Sequence, residues 1–395
     1  MLDNKRDTTN PNSARLFADA YTAEATNSDI LNFHTNGFEL ITSDAEINKS
    51  GDKIIFMAIA ANPDTTAPTK ANSFKTKIYT GNGGTQSITG VGFKPDLTWI
   101  KSRNSADNHN LGDSVRGVQK FIYSNLTSQQ LTSANYLTSF DTDGFSIGSD
   151  NSINKSSDSI VSWNWKALDH DRNLAAINND GSKPSIVSAN PEAGFSIVQH
   201  TSAGVFEQFG VGHGLSSAPQ AIIMKNITAT SDWYLLTNII DGSGDYLRLN
   251  ANSAKVDITG SATSLFRFDP KTFTNWWSSA NTIINYCFHS VAGYSKVAYY
   301  TGTGSAFNVT LGFTPGWVLI KRADGVGSWS IFDNQRSNGF ALSPDDNYGS
   351  ASGGYDYSSL IQLSGTGAAG KIEHLGASAT LNTAGDKYIY LAFSA

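Results

Sequence analysis

Few side chains in this sequence have the types and spacing that metal binding or catalysis requires. Cys287 and His289 lie two residues apart, so on a strand they share one face and could in principle bind a metal ion. The sequence contains no second cysteine to complete such a site. A lone cysteine usually packs as a small buried hydrophobic residue, and we favour that interpretation for Cys287.

Two acidic patterns have equally ordinary explanations. Asp141-x-Asp143-Gly144 resembles the start of a calcium-binding loop. A complete loop needs further oxygen ligands and a final glutamate, and neither follows here. We therefore predict a turn at Asp143-Gly144. The charged run DHDR at 169–172 is typical of a solvated linker.

Glycine-rich runs at 81–84 (GNGG) and 302–306 (GTGSA) are the candidates for phosphate binding. A phosphate-binding loop leads into a helix and carries Lys-Ser/Thr, whereas these runs connect segments that look like strands. No local signature of paired catalytic carboxylates is present, although such pairs can come from distant parts of a chain. We predict that the protein is not an enzyme and has no catalytic, cofactor-binding or metal-binding residues. Its ligand-binding residues stay unknown at this stage.

Tryptophans are the remaining candidates for binding, because an exposed indole can stack on a sugar. Trp163 and Trp165 are two residues apart, so they share one face of a strand, and we predict that they pack in the core. Trp276 and Trp277 are adjacent and must point to opposite faces of a strand. Exposure of one of them and burial of both remain equally open.

Composition excludes several classes of protein. The net charge is −6 and no basic stripe is present, so the footprint of a nucleic-acid-binding protein is missing. The longest apolar runs, such as 54–61, are far shorter than the roughly 20 residues of a membrane helix. The first ten residues contain no apolar core of a signal peptide. We expect no nucleic-acid partner, no membrane insertion and no cofactor.

Motifs recur along the chain, which is the signature of repeated structural units. One motif, the Pro-to-Lys strand, has a lysine six residues after a proline. It occurs as GFKPDLTWIK (92–101), GLSSAPQAIIMK (214–225) and GFTPGWVLIK (312–321). The proline fixes the turn at the entry, and we expect the lysine to mark the end where the strand reaches water. Trp99, Ile100, Val318 and Ile320 on these strands should be mostly buried.

Further motifs accompany this strand. Tyr-Thr-Gly begins at Tyr79 and Tyr300, and a third pattern precedes an apolar strand as INKSGDK (47–53), INKSSDS (153–159) and LNTAGDK (381–387). An Asp-x-x-Arg pattern occurs at 3–6, 113–116 and 333–336. The separation between the first and last Pro-to-Lys lysines is 220 residues, and the same separation relates the last two Asp-x-x-Arg patterns. Two independent motifs at one offset indicate a true repeat.

The pattern inside each repeat predicts the fold class. Short runs rich in Val, Ile, Thr and aromatic residues are separated by Gly, Asn, Asp and Ser turns, and Asn36-Gly37 predicts a hairpin. We predict an all-β protein of tandem β-sandwich units of jelly-roll or concanavalin-like type. Residues 13–25, with Ser13 as a cap, are the one helix candidate, and helix and non-helix are equally open there. The predicted organisation is a partial unit at 1–64, full units at 76–168 and 296–395, a divergent unit at 186–295, and linkers at 63–73 and 170–185.

Taken together, the stretches FSIVQHTS, VGHGLSSAPQAIIMK, NYCFHSVAGYSKVAYYTGTG, GFTPGWVLIKR and KYIYLAF resemble a repeat family of marine bacteriophage structural proteins, tail fibres or virion appendages. The resemblance covers residues 30–395 well and 1–30 weakly. It implies a location in the virion, on tail or particle surface, and host attachment without enzymatic activity. It also implies a homo-oligomer (a trimer or higher ring), contacts with other virion proteins, and a host-surface glycan as a candidate ligand. The alternatives are an architectural tail adaptor or capsid decoration protein, and a secreted carbohydrate-binding module or glycan hydrolase.

The partial unit carries its own expectation. Residues 1–64 contain the second half of a repeat and lack the Tyr-Thr-Gly and Pro-to-Lys strands. Such a half-unit would expose one apolar face, either that of Ile54, Phe56 and Ala58 or that of the alternate residues. Half a core of about 60 residues is marginal alone. We therefore expect this segment to be covered by a neighbour and to be the attachment point of the protein.

Overall fold

Almost all of the regular structure in the computed structural model is β-strand, and every strand pair is antiparallel. The structure describes residues 2, 11–17, 22–26, 29–34, 37–54, 56, 72–167, 176–202, 210–259, 267–274, 280–349 and 356–395. Within them lie one four-residue α-helix, α1 (Asn151–Asn154), and one 3-10 turn at Gly367–Ala369. The all-β prediction is confirmed. None of the helices in this part of the chain has the length and apolarity to span a bilayer.

The chain divides into two compact units, Met1–Pro63 and Asp64–Ala395. The first unit contains a hairpin of β1 (Leu31–His34) and β2 (Gly37–Leu40), as Asn36-Gly37 predicted. The helix candidate at 13–25 is wrong for the described residues, because Arg15 and Ala25 exchange backbone hydrogen bonds of 2.8 and 3.0 Å. Those groups are bonded across two chain segments and so do not bond along a helix.

In the second unit, the first strand group builds two sheets. The larger sheet has the order β3-β11-β5-β6-β7-β8 and the smaller sheet the order β4-β10-β9. The strands are β3 (Phe74–Thr80), β4 (Gln86–Thr89), β5 (Leu97–Ser102), β6 (Asn110–Asp113), β7 (Lys120–Tyr123), β8 (Leu131–Thr132), β9 (Leu137–Asp141), β10 (Gly144–Ile147) and β11 (Ser159–Trp165).

The second strand group also builds a large and a small sheet, with the orders β12-β13-β14-β21-β16-β17-β18-β19 and β15-β20. Its strands are β12 (Ala176–Asn178), β13 (Ser185–Asn190), β14 (Phe195–Thr201), β15 (Gly210–Gly212), β16 (Ala221–Asn226), β17 (Trp233–Thr237), β18 (Asp245–Arg248), β19 (Val256–Asp257), β20 (Thr272–Thr274) and β21 (Thr282–Phe288). Strand β12 lies inside the stretch predicted as a linker, where it pairs with β13.

The third strand group has the sheet orders β22-β28-β24-β25 and β23-β27-β26. Its strands are β22 (Ser295–Thr301), β23 (Phe307–Thr310), β24 (Pro315–Arg322), β25 (Ser330–Asp333), β26 (Ile361–Ser364), β27 (Lys371–His374) and β28 (Lys387–Ser394). The Pro-to-Lys strands of the sequence are therefore β5, β16 and β24, each in the middle of a large sheet.

Central strands of the large sheets are buried on both faces. On β11, Ile160 belongs to an apolar cluster with residues of the small sheet, such as Phe145. Val161, Trp163 and Trp165 belong instead to a cluster that contains residues of all three strand groups. Side chains of a strand alternate between its two faces, so each large sheet contributes one face to its own core and the other to a shared core.

The burial predicted for the Pro-to-Lys strands is confirmed. Trp99 is 2 % exposed, and Ile100, Val318 and Ile320 are 0 % exposed. Burial of an apolar side chain of this size is worth about 1.5–3 kcal/mol, so these strands are major contributors to stability.

Candidate functional site

The residues that the sequence singled out for chemistry are engaged in packing and turns. Cys287 is buried in an apolar cluster of the second strand group, and burial raises the pKa of its thiol. Its structural role is confirmed. His289, just beyond the end of β21, has its Nδ1 3.0 Å from the carbonyl of Ser290.

The turn predicted at Asp143-Gly144 is also confirmed. It connects β9 to β10, and the Asp143 carboxylate accepts hydrogen bonds from the backbone N–H groups of Gly90 and Gly92, at 2.9 and 2.6 Å. These bonds lower the pKa of Asp143. Asp141 accepts hydrogen bonds from two serine hydroxyls, each at 2.7 Å. Both carboxylates are thus bound by protein groups.

Trp163 and Trp165 are 0 % and 2 % exposed in the shared core, as predicted. The pair Trp276-Trp277, the charged run 169–172 and the Asp-x-x-Arg pattern at 3–6 lie outside the described residues.

Two of the Asp-x-x-Arg patterns form fully buried ion pairs. Arg116 Nε donates to Asp113 Oδ2 at 2.5 Å, and Arg336 Nε donates to Asp333 Oδ2 at 2.6 Å. Each arginine also donates to a carbonyl five residues earlier, at 2.9 Å in both cases. Burial opposes the charge of Arg116, but the adjacent Asp113 more than offsets this effect and the pKa of Arg116 is raised.

Each buried aspartate also accepts a hydrogen bond from an aromatic residue of a different strand group. Tyr286 Oη of the second group donates to Asp113 Oδ2 of the first group at 2.8 Å. Trp163 Nε1 of the first group donates to Asp333 Oδ2 of the third group at 2.9 Å. We call these two arrangements the aspartate clasps. They join residues that are 173 and 170 positions apart in the sequence.

The corresponding position in the second group carries no charge. Thr237 on β17 is the direct strand partner of Ala221 on β16. Asp113 and Asp333 hold the same place, as the strand partners of Leu97 and Trp317. Thr237 Oγ1 donates to the carbonyl of Gln220 within its own group, and the residue three positions later is the buried Ile240. Thr237 and Ile240 therefore form no aspartate clasp.

Two of three buried lysines supply a second set of contacts between groups, and all three correct one prediction. Lys101, Lys225 and Lys321 are 0 % exposed and do not reach water. Lys225 Nζ donates to the carbonyl of Thr127 at 2.9 Å, and Lys321 Nζ lies 3.4 Å from the carbonyl of Asn252. For Lys225 and Lys321, carbonyls of another group thus replace water as acceptors. Lys101 donates instead to the carbonyls of Ser102 and Ser105 in its own group, at 2.7 and 3.1 Å. Burial lowers the pKa of all three lysines to about 8.

Two tryptophan side chains also donate hydrogen bonds from one group to another. Trp233 Nε1 of the second group donates to the carbonyl of Tyr123 in the first, and Trp329 Nε1 of the third group donates to the carbonyl of Arg248 in the second, both at 2.8 Å. Between the first and third groups, Ser124 Oγ donates to the carbonyl of Pro344 at 2.9 Å. The three groups thus contact one another cyclically: second to first, third to second, and first to third.

The centre of this arrangement has no room for a substrate. A cavity in the shared core, lined by residues such as Trp99, Ile223, Tyr286 and Leu391, has a volume of about 10 Å³. That volume corresponds to about one water molecule. The walls are apolar, so the cavity is a packing defect and offers no binding groups.

One repeated motif has a role that the sequence did not reveal. Asn154 Oδ1 accepts a hydrogen bond from the backbone N–H of Asn82 at 2.9 Å, and Asn382 Oδ1 accepts one from Thr303 at 2.8 Å. These asparagines, from the INK and LNT motifs, hold the two glycine-rich turns. The Tyr79 and Tyr300 hydroxyls donate to the carbonyls of the residues just before the asparagines, both at 2.7 Å. The joint recurrence of Tyr-Thr-Gly and Ile/Leu-Asn was the signal that could have predicted this contact.

A comparison with known families decides the membership of the chain. The model of the family described as "Domain of unknown function (DUF7483)" matches residues 1–63 and 69–395. The chain belongs to the DUF7483 family. No curated protein and no solved structure matches it.

In this DUF7483 chain, one set of three carboxylates among the described residues has oxygen atoms close enough together to hold a metal ion. Oxygen atoms of Asp241, Asp245 and Asp257 lie within 4.8 Å of one another. The Lys255 ammonium already lies among them and donates to Asp241 at 2.8 Å, to Asp245 at 2.9 Å and to Asp257. The hydrogen bond from Lys255 lowers the pKa of Asp241, whereas burial raises the pKa of Asp245 to about 6.

We predict that Lys255→Met lowers the free energy of unfolding by about 2–3 kcal/mol at pH 7.5, and by less at pH 5. Without the ammonium, repulsion raises the pKa of the three carboxylates in the folded protein. Stability linked to a raised pKa is present at low pH and lost as pH rises through that value. Urea unfolding at the two pH values measures the difference. As a control, Lys371→Met removes a partly exposed partner of Glu373 and should lower the free energy of unfolding by less than about 1 kcal/mol. An equal loss of stability at both pH values in Lys255→Met would contradict the prediction.

Proposed function

We propose that this chain is a non-enzymatic structural protein of a bacteriophage virion, a tail fibre or appendage that presents β-sandwich units for attachment to the host surface. The proposal combines the family resemblance of the repeats with the chemistry of the described residues. It places the protein on the tail or particle surface.

We further propose that the three strand groups are copies of one β-sandwich unit, of jelly-roll or concanavalin-like type. Their large sheets share a four-strand order, β3-β11-β5-β6, β14-β21-β16-β17 and β22-β28-β24-β25. The small sheets of the first and third groups also correspond, with β4-β10-β9 matching β23-β27-β26. In both, the same tyrosine and asparagine bonds hold the glycine-rich turn.

The observation that carries the functional proposal is that buried charged side chains connect the strand groups. Both aspartate clasps and the lysines Lys225 and Lys321 bond one strand group to another. An enzyme usually places perturbed ionisable groups around a cleft that admits a substrate. In this protein the buried ionisable side chains connect the strand groups to one another. Such connections suit a rigid scaffold that presents binding surfaces.

Purified particles of the phage that encodes the chain test this proposal. We expect mass spectrometry of the particles to detect the chain in multiple copies, and antibodies against residues 64–395 to label the tail or particle surface. Absence from particles, combined with secretion of the free protein or cleavage of a polysaccharide, would overturn it in favour of a secreted glycan-binding or glycan-hydrolysing protein.

We also propose that the protein is a homo-oligomer, a trimer or higher ring, that contacts other virion proteins through residues 1–64. Removal of these residues should abolish assembly and leave the β-sheet content of residues 65–395 intact. Light scattering compares the masses of the full and shortened chains, and circular dichroism reports on the fold. A shortened chain that assembles normally contradicts the prediction.

A further inference from the structure

The N-terminal unit reproduces the asparagine loop of the first and third strand groups. Asn48 Nδ2 donates to the Thr42 carbonyl, six residues earlier, at 2.6 Å. Asn154 and Asn382 make the same bond to the carbonyl six residues before them, at 2.9 and 2.8 Å. In those groups the asparagine also holds a Tyr-Thr-Gly turn, and residues 1–63 contain no such sequence.

The hairpin of the N-terminal unit also corresponds to part of a larger sheet. β1 and β2 precede Asn48 as β9 and β10 precede Asn154, with Gly37-Phe38 in the place of Gly144-Phe145. β10 pairs with β9 on one side and with β4 on the other. Among the described residues, β2 pairs only with β1, so none of these residues occupies the place of β4.

Two apolar side chains of this unit are exposed at positions that are buried in the other groups. Ile54 and Phe56, six and eight residues after Asn48, are 44 % and 68 % exposed, although Phe56 contacts the ring of Phe38 at 5.2 Å. The residues at the same distances after Asn154 and Asn382 are almost completely buried: Ile160 at 0 %, Ser162 at 0 %, Tyr388 at 0 % and Tyr390 at 1 %.

The other groups show what covers this face. β11 lies between β3, which ends in Tyr-Thr, and the Pro-to-Lys strand β5, and β28 lies between β22 and β24 in the same way. The close fit of the turn is visible at Gly81, where an added Cβ would lie 2.1 Å from the carbonyl oxygen of Lys155. The covering element is therefore a specific first half-unit and not a generic apolar surface.

We infer that the N-terminal unit binds the first half of a repeat, which residues 1–63 do not contain: a strand that ends in an aromatic residue and Thr-Gly-x-Gly, followed by a β4-like strand and a Pro-to-Lys strand. The partner inserts strands beside β2 and beside the segment that begins at Ile54, and its glycine-rich turn binds the Asn48 carboxamide. Main-chain pairing at open strand edges gives affinity, and the turn gives specificity. The inference rests on the proposed attachment role of residues 1–64 and names the chemistry of the partner.

A synthetic peptide of residues 73–102 is the probe, because it is a first half-unit of known fit. We expect it to bind the full-length chain with 1:1 stoichiometry in calorimetry and to slow hydrogen exchange in residues 37–54. Asn48→Ala in the chain should weaken binding about tenfold or more through the lost turn contacts. A Gly81→Ala peptide, matched in every other position, should bind at least as poorly because its Cβ has no space.

Binding that is unchanged by Asn48→Ala would show that the peptide exchanges with β3–β5 of the second unit, and it would overturn the inference. Absence of binding in solution is checked by a fusion of residues 73–102 before Met1 through a flexible linker. The fusion should protect residues 37–54 from exchange, and its Gly81→Ala form should not. If neither fusion protects, the inference is wrong, whereas the particle experiment decides the virion proposal independently.

Discussion

Asp333→Ala is expected to lower the free energy of unfolding by about 3–5 kcal/mol. The carboxylate lies in a clasp whose side chains are 1 % exposed or less, where it accepts from Arg336 at 2.6 Å and from Trp163 at 2.9 Å. Its removal leaves a buried guanidinium without a counter-charge and a buried indole N–H without its acceptor. Guanidinium chloride unfolding followed by circular dichroism measures the loss.

Two further variants separate the clasp from general packing. Thr237→Ala changes the corresponding position of the second group, where no ion pair exists, and should cost only about 1 kcal/mol. The double variant Asp333→Ala/Arg336→Leu should recover part of the stability, because the unpaired charge is gone. If the double variant is less stable than Asp333→Ala, the buried charge is not the cause of the loss.

Trp165→Ala is expected to lower the free energy of unfolding by a comparable amount, about 3–5 kcal/mol. We also expect it to affect more of the structure. The indole contacts aromatic rings of all three strand groups, with ring centroids 5.0 Å from Phe74, 6.4 Å from Phe195, and 5.4 Å from Trp317. A cavity at this place weakens the contact of each large sheet with the other two. Hydrogen exchange should therefore accelerate in β14, β24 and β28 as well as in β11.

Phe145→Ala provides the matched comparison. Phe145 is also 0 % exposed, but it lies in the core between the two sheets of the first group. We expect a similar loss of stability, with accelerated exchange concentrated in β3–β11. Identical exchange maps for the two variants would show that the shared core and the group core do not behave as separate packing units.

Much of the fold was predictable from the sequence, because strand identity and burial depend on local pattern. Strands β5 and β24 were predicted from their proline turns and apolar runs, and the alternation of Trp163 and Trp165 predicted a shared buried face. The turn at Asp143 followed from residues that accept positive φ, and Gly144 has a φ of +141°. The helix candidate at 13–25 failed because the backbone groups of Arg15 and Ala25, near its two ends, bond to each other, a pairing that helix propensity does not register.

The sequence by itself determined that the same motifs recur, and so which strands each group builds. Only the tertiary structure decided what those motifs contact. The lysines at 101, 225 and 321 were expected in water, because a strand end next to polar residues usually reaches the surface. All three are buried: Lys225 and Lys321 bond to carbonyls in loops of another strand group, and Lys101 bonds to carbonyls of its own group. Likewise, the Asp-x-x-Arg pairs are local, but their aromatic partners lie 170 or more residues away. The strands and turns of a group form between near neighbours in the chain, whereas contacts between groups depend on which faces meet once all of them have folded.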